Sequence, residues 1–255
     1  MTDIETDKDM TDSGRFDTYN QKVVRYAQDI VFLNKKKEKD FLFTCCEGIS
    51  ISFHSLYSIR DKLEDEIIDS YMLTLLRKNA SKIEYLNCAL LSMILSKRHQ
   101  HVVSDVSCLN IYEYCGVYNV GRRHWILIII KMITKEFIIM DPLGESNLTM
   151  KDLFAGWINH LKLKSAHQST AQMWNVTTVP HFKQQDSNSC GVFCIMFAEK
   201  FIQSNHQFEP CQDLVMTYRH DILRTIVENP GITSRETVQR DYSKAETKFR
   251  DALEG

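Results

Sequence analysis

His124-Trp125-Ile126-Leu127-Ile128-Ile129-Ile130 and, after a short interval, Phe137-Ile138-Ile139-Met140-Asp141-Pro142 form the stretch that sets the architecture. An unbroken apolar run, mostly β-branched, is the pattern of a strand covered on both faces. Thr134-Lys135-Glu136 supplies a turn, and Pro142 stops the second run. The two runs read as an antiparallel hairpin at the centre of a sheet. In a hairpin, the residue opening one strand and the residue leaving its partner lie at the same edge. His124 and Asp141 are therefore expected to be neighbours.

Toward the C-terminus, Val176-Thr177-Thr178-Val179 reads as a third strand, stopped by Pro180. A polar run, Gln184-Gln185-Asp186-Ser187-Asn188-Ser189, then ends abruptly at Cys190-Gly191. Val192, Ile195, Met196 and Phe197 follow at helical spacing, and the helix is expected to reach about Ser204. Cys190 thus sits where loop becomes helix, in a positive local field from unpaired N–H groups. Such a field favours thiolate and can pull a cysteine pKa from ~8.5 to roughly 3.5–7.5. Gly191 is read as removing a Cβ beside the sulfur, so that a substrate carbonyl can approach. A free cysteine is most often a buried structural residue. The polar approach, the glycine and the helix start set Cys190 apart. Cys194, one turn on, reads as core-facing.

Toward the N-terminus the signals are plainer. Residues 1–20 are polar and acidic and read as disordered. Residues 21–33 could form a short helix. Lys35-Lys36-Lys37-Glu38-Lys39 reads as a solvated basic loop rather than an import signal. Ile49, Ile51 and Phe53 alternate with serines as in a short strand. Ile67, Ile68, Tyr71, Met72 and Leu75 mark a helix whose first turn is crowded with acids. Leu86 to Leu95 is a second helix or a mixed segment. His99 and His101 flank Gln100 in a polar stretch, read as an exposed loop rather than a metal site. Tyr112 to Gly121 brings aromatics and two glycines. Leu148–Leu163 and Leu214–Val227 are helices by periodicity, and beyond Pro230 the chain is a charged tail.

The 255 residues carry a net charge of −2, so no global field calls for nucleic acid or a membrane surface. No apolar stretch approaches ~20 residues, and no apolar signal core opens the chain. The eight cysteines are accordingly read as free thiols in a reducing, intracellular setting, nucleus or cytoplasm. No C-x-x-C pair suggests structural zinc. No metal and no cofactor are expected, nor a nucleic-acid or membrane partner, and the chain is expected to be monomeric.

A cysteine nucleophile needs a base, and the base needs an orienting group. His124 and Asp141 at one sheet edge can supply both, with the aspartate fixing the imidazole tautomer. Taken singly, His124 is as readily a strand-end histidine and Asp141 a turn-starting residue before proline. Gln184, with the N–H of Cys190, can hold the oxyanion of a tetrahedral intermediate. Gln185 and Asn188 are rival donors. Trp125 could lie flat over an extended backbone or simply pack.

The order His-Trp, apolar strand pair, Asp, then Gln-x5-Cys-Gly resembles the SUMO-specific (sentrin-type) cysteine proteases, in the clan of the adenovirus protease. Lys62-Leu63-Glu64-Asp65-Glu66-Ile67-Ile68-Asp69-Ser70-Tyr71 is similar to that family's Trp-Leu-Asn-Asp-Glu-Val-Ile-Asn-x-Tyr segment. The resemblance spans about residues 48–225. It implies an α+β, papain-like fold, a central mostly antiparallel mixed sheet flanked by helices. It implies a catalytic domain over 41–228 between an N-terminal segment, 1–40, and a tail, 229–255. By resemblance Cys190 is the nucleophile, His124 the base and acid, and Asp141 its orienter. Gln184 serves the oxyanion, Trp125 lids a Gly-Gly channel, and Asp65 lies on the modifier-binding surface. The implied partner is SUMO or another ubiquitin-like modifier, cleaved after its C-terminal Gly-Gly. A lid over a narrow slot suits residues without side chains. Lys62 stands where the family's other lid tryptophan is usual, Glu64 where asparagine is usual and Ser189 where aspartate is usual. These departures bear on specificity. Similar proteases also occur in viruses and mobile elements. A non-catalytic modifier-binding module is the competing class. Acetyl transfer, a third, would need an acyl-CoA site for which no motif is visible.

Overall fold

A computed structural model describes positions between 21 and 32 and residues 42–79, 82–96, 112–164, 174–203 and 212–229. The stretch 1–20, the Lys35–Lys39 cluster, His99, His101, Cys108, Cys211 and the tail beyond 229 lie outside the described residues.

The described positions of 21–32 are helical (α1). Then come β1 (Leu42–Cys46), β2 (Ile49–Ser52), α2 (Phe53–Ser58), α3 (Asp65–Lys78), β3 (Ile83–Tyr85) and α4 (Cys88–Leu95). The second half runs β4 (Glu113–Val120), β5 (His124–Lys131), β6 (Glu136–Met140), α5 (Asn147–Lys164), β7 (Asn175–Thr177), α6 (Cys190–Ile202) and α7 (Val215–Glu228). The fold is α+β. β1 and β2 form a separate ribbon, and the main sheet has the order β3-β4-β5-β6-β7. Its two central pairings are antiparallel and its two outer ones parallel. The antiparallel registers are the longer, eight and five residue pairs against three and three, so antiparallel pairing dominates.

β5 lies at the centre, as its apolar run requires. Ile126, Ile128 and Ile130 face α4 and α5, in a core with Leu91, Ile94, Trp157, Ile158 and Leu161. Leu127 and Ile129 face α3, α6 and α7, in a core with Met72, Val192, Phe193, Phe197 and Ile222. Burying each such side chain contributes ~1.5–3 kcal/mol. A one-residue slip would interchange the two sets, so packing sets the register of β5.

Several expectations change at element ends. The strand read through Phe53 stops at Ser52, whose Oγ accepts the Ser55 N–H at 3.1 Å and caps α2. α3 begins at Asp65 because Glu64 is still extended, its N–H bonded to Ser58 Oγ at 3.0 Å. Tyr112–Gly121, with no strand assigned from sequence, contains the second central strand, β4. Gly116 sits there because a Cβ would lie 2.6 Å from the Leu86 carbonyl oxygen. β7 ends at Thr177, short of Val179, where its pairing with β6 runs out. On the α6 side, the Glu199 carboxylate accepts Tyr71 Oη at 2.6 Å and Tyr218 Oη at 2.9 Å. It thereby joins α3, α6 and α7. Among the described residues no helix is long and apolar enough to cross a membrane.

Candidate active site

Two turns deliver the polar residues to one end of the central hairpin. Between β4 and β5, Gly121 and Arg122 both have φ of +60°, and the Arg123 N–H bonds the Val120 carbonyl at 3.1 Å. Positive φ at both central residues is the tight-hairpin geometry that matches strand twist. The chain re-enters the sheet at His124. Beyond β6, Asp141-Pro142-Leu143-Gly144 closes a turn through Gly144 N–H to Asp141 O at 2.8 Å. Asp141 Oδ1 accepts the Leu143 N–H at 2.8 Å and lies 2.6 Å from His124 Nε2.

The backbone of Asp141 is braced as well. Its N–H donates to Glu145 Oε1 at 3.2 Å, and its carbonyl lies 2.9 Å from His181 Nε2. His181 Nε2 is also 3.3 Å from Glu145 Oε1. Sequence reading missed this brace, since neither residue carries a local signal.

Cys190 opens α6 and is 1% exposed. Its Sγ accepts the Trp125 N–H at 3.5 Å and lies near enough to the His124 imidazole for the two groups to shift each other's pKa. With Nε2 engaged by Asp141, Nδ1 is the ring nitrogen left for the sulfur. Burial pushes the Cys190 thiol up, but the His124 imidazole and the Trp125 and Gly191 N–H groups outweigh it and lower its pKa. Burial likewise opposes the imidazolium, yet Asp141 and Cys190 push His124 up to about 9. The two shifts together favour a thiolate–imidazolium pair. The other buried thiols go the opposite way. Burial pushes Cys115 up to about 12 and raises Cys88 and Cys194 well above the ordinary thiol range. Cys194 faces the core and, like Cys46, Cys88 and Cys115, is a thiol outside any disulfide.

The turn before Cys190 is organised by Asp186, whose role was not foreseen although a polar run before a helix is an Asx-turn signal. Its Oδ1 accepts the N–H groups of Asn188 at 3.0 Å and Ser189 at 2.9 Å, and its Oδ2 accepts Gln212 Nε2 at 2.7 Å. Burial opposes its charge, but these donors hold its carboxyl below the usual range. Of the three candidate amides, Gln184 is buried and Gln185 exposed, while Asn188 donates through Nδ2 to Asp61 at 2.9 Å. Gln184 Nε2 donates one proton to the Asp186 carbonyl at 2.8 Å, which leaves its second N–H. Its Oε1 is buried without a hydrogen-bond partner.

Trp125 is buried, and its Nε1 donates to the Leu63 carbonyl at 2.8 Å. Asp65 is exposed at the start of α3. Both line a cavity of about 490 Å³ together with Lys62, Leu63, Arg122 and Arg123. The reading of Gly191 needs correction. A Cβ there would lie 3.1 Å from Leu63 Cβ, 3.2 Å from Trp125 Cδ1 and 3.3 Å from Ile68 Cδ1. The glycine lets α6 pack closely on Leu63 and Trp125, both of which line the cavity.

Residues 114–222 match the model of the Ulp1 protease family, C-terminal catalytic domain. A protease of Porcine adenovirus A serotype 3 is 28% identical over 111 residues, covering 40% of this chain and 54% of that protein. The chain thus spans about half the length of the curated relatives it matches. Among solved structures, the yeast Ulp1 protease domain in complex with Smt3 superposes with a TM-score of 0.68 at 16% identity, covering 82% of this chain and 95% of that one. The catalytic domain of a Chaetomium thermophilum Ulp1-like SUMO protease gives 0.59 at 15% identity, covering 86% and 93%. The sequence likeness over residues 114–222 covers less than half of the chain, and the fold the chain shares with these structures is that of the Ulp1 protease domain.

Proposed function

We propose that the chain is a cysteine peptidase or isopeptidase that cleaves after the C-terminal Gly-Gly of a SUMO-like modifier, in precursor processing, deconjugation or both. The observation that carries this reading is the set Asp141–His124–Cys190, with a 2.6 Å carboxylate–imidazole contact and a thiol whose pKa the same imidazole lowers. The Cys190 thiolate attacks the carbonyl carbon of the terminal glycine. The oxyanion that forms is held by the Cys190 N–H and the remaining N–H of Gln184. His124 gives its proton to the departing amine, and a thioester remains. Water, deprotonated by His124, then attacks the thioester and releases the glycine carboxylate and the thiolate. Asp141 keeps the ring oriented throughout. In this reading the glycine backbone reaches the sulfur past Leu63 and Trp125, where a strand without side chains fits best, and Trp125 walls the Gly-Gly slot. Asp65 and Lys62 contact the modifier outside it.

The test is Cys190→Ala against a panel of modifier-derived electrophilic probes ending in Gly-Gly. Wild type forms a covalent adduct at Cys190 and hydrolyses the matching amide, and the variant does neither. Full hydrolysis by Cys190→Ala overturns the reading, and pull-down without turnover by wild type favours a binding module. The adenovirus protease relatives support a second reading, a viral-type or mobile-element polyprotein protease on the same fold. It predicts capture by short Gly-containing peptide probes in preference to folded modifiers.

A further inference from the structure

Arg219, on α7, is 2% exposed and sits between the two segments that flank the nucleophile. Its Nη1 donates to the carbonyls of Ile59 and of Asp61, the latter at 2.7 Å. Its Nη2 donates to Ser189 Oγ at 3.0 Å. Ile59 ends α2, where carbonyls lack intrahelical partners and a cation is favoured. Ser189 is the residue before Cys190. One planar fork therefore reaches the segment entering Lys62–Asp65 and the turn carrying the sulfur. A second bond, Asn188 Nδ2 to Asp61 Oδ1 at 2.9 Å, runs parallel to it. The same segment supplies the Leu63 carbonyl that holds the Trp125 ring.

We propose that Arg219 is a positioning residue of the active site. It fixes the distance between the segment 59–65, whose residues 62–65 line the cavity, and the Cys190 turn, so that the Leu63–Trp125 pair and the sulfur keep a constant relation.

A buried guanidinium needs a reason, because desolvation opposes its charge. That burial lowers its pKa, while the charges of Asp186, Asp61 and Cys190 favour the cation. A lysine could supply the charge but not three bonds in a fixed plane. A purely structural role would be met by the Ile59 and Asp61 carbonyls alone. The third bond, to Ser189, is the one that reaches the nucleophile.

The inference rests on Cys190 being the nucleophile, and the experiment separates the two. Alkylation of Cys190 by iodoacetamide is followed across pH by peptide mass mapping, alongside kcat and KM on a Gly-Gly amide. Wild type, Arg219→Gln, Arg219→Lys and Ser189→Ala are compared. The groups charged or titrating around the sulfur are His124 from β5, Asp141 after β6, Asp186 in the turn, Asp61 after α2 and Arg219 from α7. Arg219→Gln is expected to lower kcat/KM on the order of 10²-fold, the scale of a small misplacement, and to move the alkylation midpoint to higher pH. Arg219→Lys restores the midpoint but not kcat/KM. Ser189→Ala, which leaves both carbonyl bonds in place, lowers kcat by about tenfold with an unchanged melting temperature. Wild-type kcat and midpoints in Ser189→Ala and in a folded Arg219→Gln overturn the inference. If Arg219→Gln does not fold, Ser189→Ala decides alone. A wild-type Cys190 that resists alkylation at neutral pH sinks the nucleophile reading itself.

Discussion

Asp141 Oδ1 lies 2.6 Å from His124 Nε2 and also accepts the Leu143 amide. One carboxylate oxygen therefore both ends a turn and fixes a ring. Asp141→Asn keeps the shape and removes the charge, and kcat is expected to fall on the order of 10³- to 10⁴-fold. The His124 pKa of about 9 opposes its own burial chiefly through Asp141. The alkaline limb of the wild-type rate profile therefore falls near pH 9, and in Asp141→Asn it moves lower. Stability follows the same sign. A folded histidine pKa above its unfolded ~6.5 stabilises fully below that value and loses the contribution as pH rises through about 9. Urea titrations of wild type and Asp141→Asn should converge across that window.

Gln184 has one amide proton on the Asp186 carbonyl and one left over. If the second proton meets the oxyanion, Gln184→Ala lowers kcat on the order of 10²- to 10³-fold. The rate of Cys190 alkylation, which involves no oxyanion, should change little. Equal loss in both assays would assign Gln184 to turn architecture instead.

Two packed glycines, Gly156 of α5 and Gly191 of α6, separate stability from activity. In Gly156→Ala a Cβ would lie 2.2 Å from the backbone carbonyl of Leu95, which cannot yield without moving α4. A loss of about 2–3 kcal/mol is expected, with kcat retained. Gly191→Ala meets softer contacts beyond 3 Å, and alanine's helix propensity offsets ~1 kcal/mol of the strain. It should lose less stability yet lower kcat, because the atoms it displaces belong to Leu63 and Trp125. Chemical denaturation and kinetics on both variants check the crossover.

What the sequence disclosed follows from range. The β5–β6 hairpin was legible because its apolar run admits only a doubly covered strand, and hairpin geometry then paired His124 with Asp141. β4 escaped because Gly116 looks like a loop residue until Leu86 is seen against it. The reading of Gly191 failed for the same reason, as its neighbours Leu63 and Trp125 are remote in sequence. Arg219 gave no signal at all, since its partners are two carbonyls and a hydroxyl far along the chain. The residues alone left Gln184 level with Gln185 and Asn188; the family resemblance singled it out, and burial separates it from exposed Gln185.

Lys62 is exposed and lines the same cavity as Trp125. Lys62→Trp would add an aromatic face there, worth about 0.5–1.5 kcal/mol on contact. KM for a Gly-Gly substrate should fall several-fold with kcat nearly unchanged, the mark of added ground-state binding. A raised KM would mean that Lys62 itself recognises the modifier.

The shared carboxylate of Glu199 has a consequence for how the molecule opens. Glu199 of α6 ties α3 and α7 to it through its two oxygens, so α6 cannot detach without breaking both bonds. Amide protons in α3, α6 and α7 should then exchange with solvent in a single cooperative step. Glu199→Gln should split that step into separate ones, leaving the α4–α5 face of the sheet as slow as before.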